Sequence, residues 1–349
     1  MTRRRPGLIP MTMLGLAVCS GPSAILAAPA PAPAPAALSA EAINSAQFLP
    51  AAKPATGPQP LLVKVQALLD RAHFSPGEID GLPGSNQAVA IAAFEAARGL
   101  PVDGKLDAAV WKALTEADAA PAVQSYTLTA ADVAGPFIDA VPENLAAAAK
   151  LPSLGYTGPA EALAEKFHMS KALLAALNPG ADFAAGKAIT VVAPRALLAG
   201  VEVASVEVDR AARMVRAFDG ARKLVAVYPA SVGSADMPAP EGVWAVRAVA
   251  PAPVYYYDPK RLNFGQVQNP GKLKVAAGPN NPVGSTWIDL TKDTYGIHGT
   301  PDPETIGKQQ SHGCVRLTNW DAAELGKVIV KGATVAFVGA NTPKRAKAG

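Results

Sequence analysis

One stretch of the 349-residue chain, Tyr295–Leu317, reads YGIHGTPDPETIGKQQSHGCVRL and holds His298, His312 and Cys314. The second cysteine, Cys19, lies within the first 20 residues. Gly299 follows the first histidine of the stretch, and Gly313 separates the second from the thiol. A thiol with imidazoles nearby is equipped for nucleophilic acyl transfer, because the imidazole takes the thiol proton and returns it to the leaving group. A free thiol is only about 3% ionised at pH 7, and a neighbouring imidazolium raises that roughly thirty-fold at most. Backbone N–H donors aimed at the developing oxyanion add about 10²–10³. Gly313 and Cys314 are the expected donors, and glycine allows the substrate carbonyl a close approach. Either histidine suits the role of base. His312 shares a face with Cys314 if the segment is extended. His298 reaches the thiol if the intervening loop folds back beside its own start. The residues alone leave that choice open. A metal site built from His298, His312 and Cys314 is the competing chemistry, but His312 and Cys314 are too close in sequence for a usual zinc pair.

The rest of the chain bounds what this stretch can act on. Apolar residues make up 50% and charged residues 17%, enough for a core in two or three domains. A net charge of +4 with pI near 9.0 is mildly basic. No dense Lys/Arg run lies beside aromatics, so the chain does not read as a nucleic-acid protein. A basic surface suits an anionic polymer and serves solubility equally well. Arg3, Arg4 and Arg5, an apolar run from Leu8 to Leu26 and small residues at Ala27 and Ala28 form a secretory signal pattern over residues 1–28. The alternative, a retained anchor, has a core interrupted by Pro10, Gly15 and Ser20-Gly21-Pro22, short of the roughly 20 residues a span needs. No stable membrane span is therefore expected after cleavage. Cleavage near Ala28 leaves Cys314 as the lone thiol, conspicuous in a secreted protein.

Residues 29–60 read as an Ala/Pro-rich linker, extended at first and without order to about Pro60. Residues 61–116 read as a small three-helix unit, with helices at Leu62–Leu69, Ala88–Ala97 and Ala108–Leu114. Asp80-Gly81 and Asp103-Gly104 are turn pairs that each precede a helix. His73 and His168 are expected at helix ends with no chemistry. Residues 123–195 hold a strand, two helices and a strand. From Val201 the pattern becomes alternating strands, with a hairpin around Asp209–Ala212 and later strands at Leu224–Val232, Val243–Val249, Trp287–Leu290 and Tyr295–His298. Tyr255, Tyr256 and Tyr257 either line a groove or pack on a sheet face. A helix over Asn319–Val328, with Asn319 as its cap, leads to a final strand, Thr334–Val338. Residues 341–349 form a basic tail.

Three resemblances follow from these residues. The stretch 61–116, with its two Asp-Gly loops and three helices, resembles the small peptidoglycan-binding domain; Gln87 and Glu95 depart from its usual Thr and Gln. The helix pair, Asn178-Pro179 and following strand resemble a LysM-type module, clearly over Glu161–Pro194. IHGT followed by SHGCVRL resembles the signature of the L,D-transpeptidase (YkuD) catalytic domain, over residues 200–340. Ala239 stands where that family usually has Thr. Together the three resemblances imply a small all-α domain, a small α+β module and a mainly-β, sandwich-like catalytic fold. The third implies Cys314 as nucleophile and His298 as proton donor and acceptor. His312 and Ser311 match supporting positions, Gly313 the oxyanion region, with Gly299 alongside. Arg316 matches the arginine that holds a substrate carboxylate, and Tyr295 is placed with it as a substrate contact. The implied reaction is ping-pong: Cys314 forms a thioester on a peptidoglycan tetrapeptide stem, and an amine of a second stem or of an envelope lipoprotein resolves it. Water as acceptor would make the protein a carboxypeptidase or hydrolase, and a degenerate site would leave a wall-binding protein. No cofactor and no metal are implied, and the expected location is the periplasm or cell envelope of a bacterium.

Overall fold

The structure is a computed structural model that describes residues 38–50, 56–234, 237–260, 271–311 and 313–339. The signal segment, much of the linker, His312 and the basic tail lie outside the described residues. Among the described residues are twelve strands and nine α-helices.

The segment read as a linker contains a helix, α1 (Ala40–Asn44), capped by the Ser39 side chain on Ala42 N–H. It is held because Ile43 is fully buried and Asn44 bonds the backbone of both Ala122 and Val123. Composition hid this, because a five-residue helix docked by one isoleucine leaves almost no periodic signal.

The three-helix unit is present as α2 (Pro60–Arg71), α3 (Ser85–Arg98) and α4 (Ala108–Ala117). Its two Asp-Gly loops are clamped alike. Gln66 Oε1 accepts from Asp80 and Gly81 N–H, and Glu95 Oε2 accepts from Asp103 and Gly104 N–H. Glu95 thus serves the second loop as Gln66 serves the first.

The next module runs β1 (Val123–Thr127), α5 (Ala130–Val133), α6 (Leu145–Ala148), α7 (Pro159–Lys166), α8 (Lys171–Leu177) and β2 (Ala188–Val192). β1 and β2 pair antiparallel. The segment between α5 and α7 carries α6.

The third part is an eight-stranded sheet. Its strands are β3 (Val203–Asp209), β4 (Met214–Phe218), β5 (Leu224–Pro229), β6 (Gly242–Pro251), β9 (Thr286–Leu290), β10 (Gly296–His298), β11 (Val315–Arg316) and β12 (Ile329–Val338). They lie in the order β11-β10-β9-β6-β12-β3-β4-β5. Between β6 and β9 the chain forms a separate hairpin, β7 (Tyr255–Tyr257) with β8 (Leu273–Val275). α9 (Asn319–Val328) packs on the sheet through Ala322 and Leu325, both fully buried. The cap of α9 is Thr318, whose side chain accepts from Asp321 N–H, and not Asn319. Asn319 is drawn into other bonds: it accepts from Ser285 N–H and donates to Pro279 and Glu165.

The described residues fall in one compact unit, and the three parts share their cores. Met214 and Val227 of the sheet are buried among the residues of the helical unit, and Val63 and Ile79 among those of the β1–β2 module. The segment His73–Ser75 extends the sheet edge, with Ser75 N–H donating to Val227 and Val227 N–H to His73. At the junction Arg195 meets Asp70, Asp321 and Glu324 at 3.0, 3.1 and 3.0 Å. His168 Nδ1 lies 2.9 Å from Asp70, and His73 Nδ1 lies 3.1 Å from Glu324. Both histidines are therefore ties between parts, with no place in the thiol's surroundings.

Candidate active site

The loop that separates His298 from Cys314 does return beside its own start. β10 and β11 run parallel, with Ile297 opposite Val315 and His298 opposite Arg316. Ile297 and Val315 are fully buried, so apolar burial fixes the register. Leu317 N–H donates to the His298 carbonyl at 2.8 Å. On the other side β10 pairs with β9, which brings Trp287 opposite His298. The two rings stack, with centroids 5.4 Å apart. Glycine is required at position 296 by this indole, since an added Cβ would lie 2.5 Å from Trp287.

His298 is 5% exposed, and its Nδ1 lies 2.7 Å from the Gly299 carbonyl oxygen. A carbonyl only accepts, so Nδ1 carries the proton and Nε2 is the basic nitrogen. Burial pulls the pKa of His298 down to about 4, against the opposing effect of the Gly299 carbonyl, and the charge of Arg316 lowers it further. Burial pushes Cys314 up to about 11, although a Gly296 backbone hydrogen bond and the Arg316 charge favour its thiolate. Both shifts favour the neutral forms, a protonated thiol and an uncharged imidazole. The thiol donates weakly to the Thr294 carbonyl at 3.6 Å.

Ser311 organises the turn before the thiol. Its hydroxyl donates to the Cys314 carbonyl and accepts from Gly313 N–H at 3.2 Å. The Gly313 N–H, expected to face an oxyanion, is thus engaged with Ser311, and an oxyanion role would require that bond to break. Gly313 sits at φ +114°, where an added Cβ would lie 3.2 Å from the Tyr295 ring. Gly299 supports the site in a different way: a Cβ there would lie 2.2 Å from Asn319 Oδ1, so its lack of a side chain admits the asparagine that braces the loop.

Cys314, His298, Ser311, Arg316 and Tyr295 all line one cavity of ≈ 1080 Å³. His312 lies outside the described residues. Arg316 donates from Nη2 to the Gln310 carbonyl at 3.3 Å, while its buried Nε has no partner. Burial lowers its pKa, with Asp302 and Cys314 opposing. Tyr255, Tyr256 and Tyr257 of the β7–β8 hairpin line the same cavity, while Tyr257 is also 4% exposed and Tyr255 packs on a small core, so cavity lining and packing coexist. Tyr255 is pushed up to about 12 by burial first, then by Cys314 and Tyr257. Tyr295 is raised by burial and by Cys314.

The residues alone did not single out Trp287, Thr294, the Arg247–Asp289 pair at 2.8 Å, or Leu145, all of which line the cavity. The alternation of β9, with Ile288 buried between half-exposed Trp287 and Asp289, carried a signal for the first and third. Leu145 had none, because it comes from the preceding module. Among the described residues, no group of three His, Cys, Asp or Glu side chains is placed to hold a metal ion.

Comparison with known proteins agrees with the geometry. Residues 204–337 match the family described as the L,D-transpeptidase catalytic domain, and residues 58–114 match the "Putative peptidoglycan binding domain". These matches support the catalytic and helical domains read from the sequence. A relative named "Putative L,D-transpeptidase YkuD", from Bacillus licheniformis, is 29% identical over 51% of this chain and 92% of its own length. The "Putative L,D-transpeptidase YqjB" of Bacillus subtilis is 35% identical over 32% of this chain and 59% of its own length. The "Probable L,D-transpeptidase YbiS" of Escherichia coli K12 is 26% identical over 53% of this chain and 61% of its own length. The chain thus spans about three fifths of the length of the last two.

Proposed function

We propose that the protein is an acyltransferase of the L,D-transpeptidase kind that acts on peptidoglycan. Cys314 is its nucleophile and His298 its proton carrier. The observation that carries this reading is the placement of both residues in one cavity, with His298 Nδ1–H committed to Gly299 and Nε2 left basic. Because thiol and imidazole are both neutral at rest, proton transfer from Sγ to Nε2 accompanies attack on the carbonyl and does not precede it. The Sγ–C bond forms, the bond to the terminal D-amino acid breaks, and the imidazolium returns its proton to that leaving amine. The amine of a second stem peptide, or of a lipoprotein lysine, then attacks the thioester and regenerates the thiol. The partly buried guanidinium of Arg316, with an unpartnered Nε, is suited to a substrate carboxylate.

The match of residues 58–114 supports delivery to peptidoglycan by the helical domain. The β1–α7–α8–β2 order, with β1 and β2 paired antiparallel, supports retaining the LysM-like reading of residues 123–195. Location in the cell envelope after signal cleavage is part of the same proposal.

The experiment is incubation of the purified protein with muropeptides carrying tetrapeptide stems, followed by mass spectrometry. Cross-linked dimers with loss of one terminal residue are the expected products. Tripeptide stems alone would show water as acceptor and make the enzyme a carboxypeptidase. No change in the muropeptides would refute the reading.

A further inference from the structure

The catalytic cavity has a wall that the catalytic domain does not supply. Leu145, in α6 of the preceding module, lines the cavity together with Cys314 and Tyr255. α6 packs against β8, and around it Ala148, Leu154 and Val275 form a small core at 5%, 1% and 0% exposure, with Leu145 and Tyr255 packed on it. This core joins residues 138–154 to the tyrosine hairpin.

The join is made by backbone as well as side chains. Leu154 N–H donates to the Ala277 carbonyl at 3.0 Å, and the Leu154 carbonyl accepts from Asn280 N–H at 2.9 Å. Asn280, 4% exposed, adds a side-chain bond to the Gly155 carbonyl at 2.9 Å and one to Glu161 at 3.1 Å. Gly278, at φ +148°, is where the two chains press together: an added Cβ would lie 2.1 Å from the Leu154 carbonyl oxygen. The segment is therefore clamped just beyond β8 and cannot drift independently of the hairpin that borders Cys314.

We propose that residues 136–155 form a specificity-determining wall of the substrate cavity, in which Leu145 contacts an aliphatic part of the bound peptide while the clamp at Leu154 and Asn280 positions the tyrosine hairpin. The proposal rests on the transpeptidase reading above. Leu145, Val254, Leu273, Pro282 and Val283 give this cavity an apolar stretch of lining, beside charged residues that include Arg247, Asp258, Lys272 and Arg316. A peptide with a carboxylate at one end and methyl or methylene groups at the other matches Arg316 and the apolar stretch. A wall held in place before binding lowers the ordering cost of the complex, so its loss is read mainly in KM.

The test uses the full chain and a stem tetrapeptide donor. Leu145→Ala is expected to raise KM roughly tenfold with kcat within about twofold, and Leu145→Met to restore KM. Alkylation of Cys314 by iodoacetamide reads thiol reactivity without any peptide. An unchanged KM in Leu145→Ala overturns the contact, as does a KM rise matched by an equal change in alkylation, which would be a structural effect. Asn280→Ala tests the clamp by hydrogen exchange. Amides of 255–257 and 273–275 are expected to exchange about tenfold faster while those of β12 do not change. Equal exchange in the two proteins overturns the positioning role. A wild-type protein that alkylates but turns over no stem peptide refutes the transpeptidase reading itself, and the two failures are thereby separated.

Discussion

Cys314 and His298 border the same cavity with their pKa values pushed apart by burial, the thiol up to about 11 and the imidazole down to about 4. At pH 7 about one thiol in ten thousand is then ionised. Under the proposed mechanism, Cys314 is held in its protonated form and proton transfer occurs during attack. A thiol with so little thiolate also oxidises slowly, because oxidation follows thiolate character.

The pH dependence follows directly. Catalysis needs neutral His298 as base and a protonated thiol to donate, so kcat/KM should be flat between about pH 5 and 10, falling below as the imidazole charges near 4. Alkylation by iodoacetamide, which needs the thiolate, should rise about tenfold per pH unit up to about 11. A bell-shaped profile with limbs between pH 5 and 9 would indicate a preformed thiolate–imidazolium pair instead.

The two kinds of histidine should separate in mutants. His298→Ala should reduce kcat by about 10²–10⁴, the usual contribution of a positioned acid–base group. His168→Ala should leave kcat within a small factor and lower the melting temperature, because His168 bonds Asp70, stacks on Trp320 and lines a different cavity from Cys314. Steady-state kinetics with thermal denaturation of both variants checks this. Equal losses of kcat would show that the base is misassigned.

Arg195 is the keystone of the charged junction, 4% exposed on its side chain and within 3.1 Å of three carboxylates from two parts of the chain. Arg195→Met strands Asp70, Asp321 and Glu324, and breaking a buried ion pair from one side costs about 3–5 kcal/mol. Denaturant unfolding should show a loss of that order. A loss below about 1 kcal/mol would mean that the carboxylates simply take up protons or water.

Glu78 should make stability pH-dependent. Burial, aided by the negative charge of Glu304, pushes its carboxyl up to about 7. A carboxyl raised above its unfolded value contributes stability that is complete below about pH 4.5 and lost as pH rises through about 7. Glu78→Gln should therefore gain stability over wild type as pH goes from 5 to 8. Melting curves of both proteins across that range check it, and a constant difference would contradict it.

Much of the site was legible because its elements are local. The Gly-flanked thiol, the strand ending at His298 and the returning loop all lie within Tyr295–Leu317, and the turn chemistry of Gly313 is visible as a single residue. The three helices of the helical unit followed from their apolar spacing, and the structure lengthens them by a few residues at the ends. What stayed hidden is long-range. Asn319 looked like a cap and is a brace between Ser285, Pro279 and Glu165. Leu145 lies 169 residues before Cys314, in a module read as separate, yet lines the same cavity. The Gly313 N–H looked free for an oxyanion, but a serine two residues earlier holds it. Periodicity reports which face of an element is buried and says nothing of which distant element covers it.

The most direct test of the account is the mass of the intact protein after mixing with a stem tetrapeptide in the absence of an acceptor amine. The expected result is an adduct equal to the peptide less its terminal residue, localised to Cys314 by peptide mapping and absent in Cys314→Ala. An adduct on another residue, or stem cleavage that persists in Cys314→Ala, would contradict it.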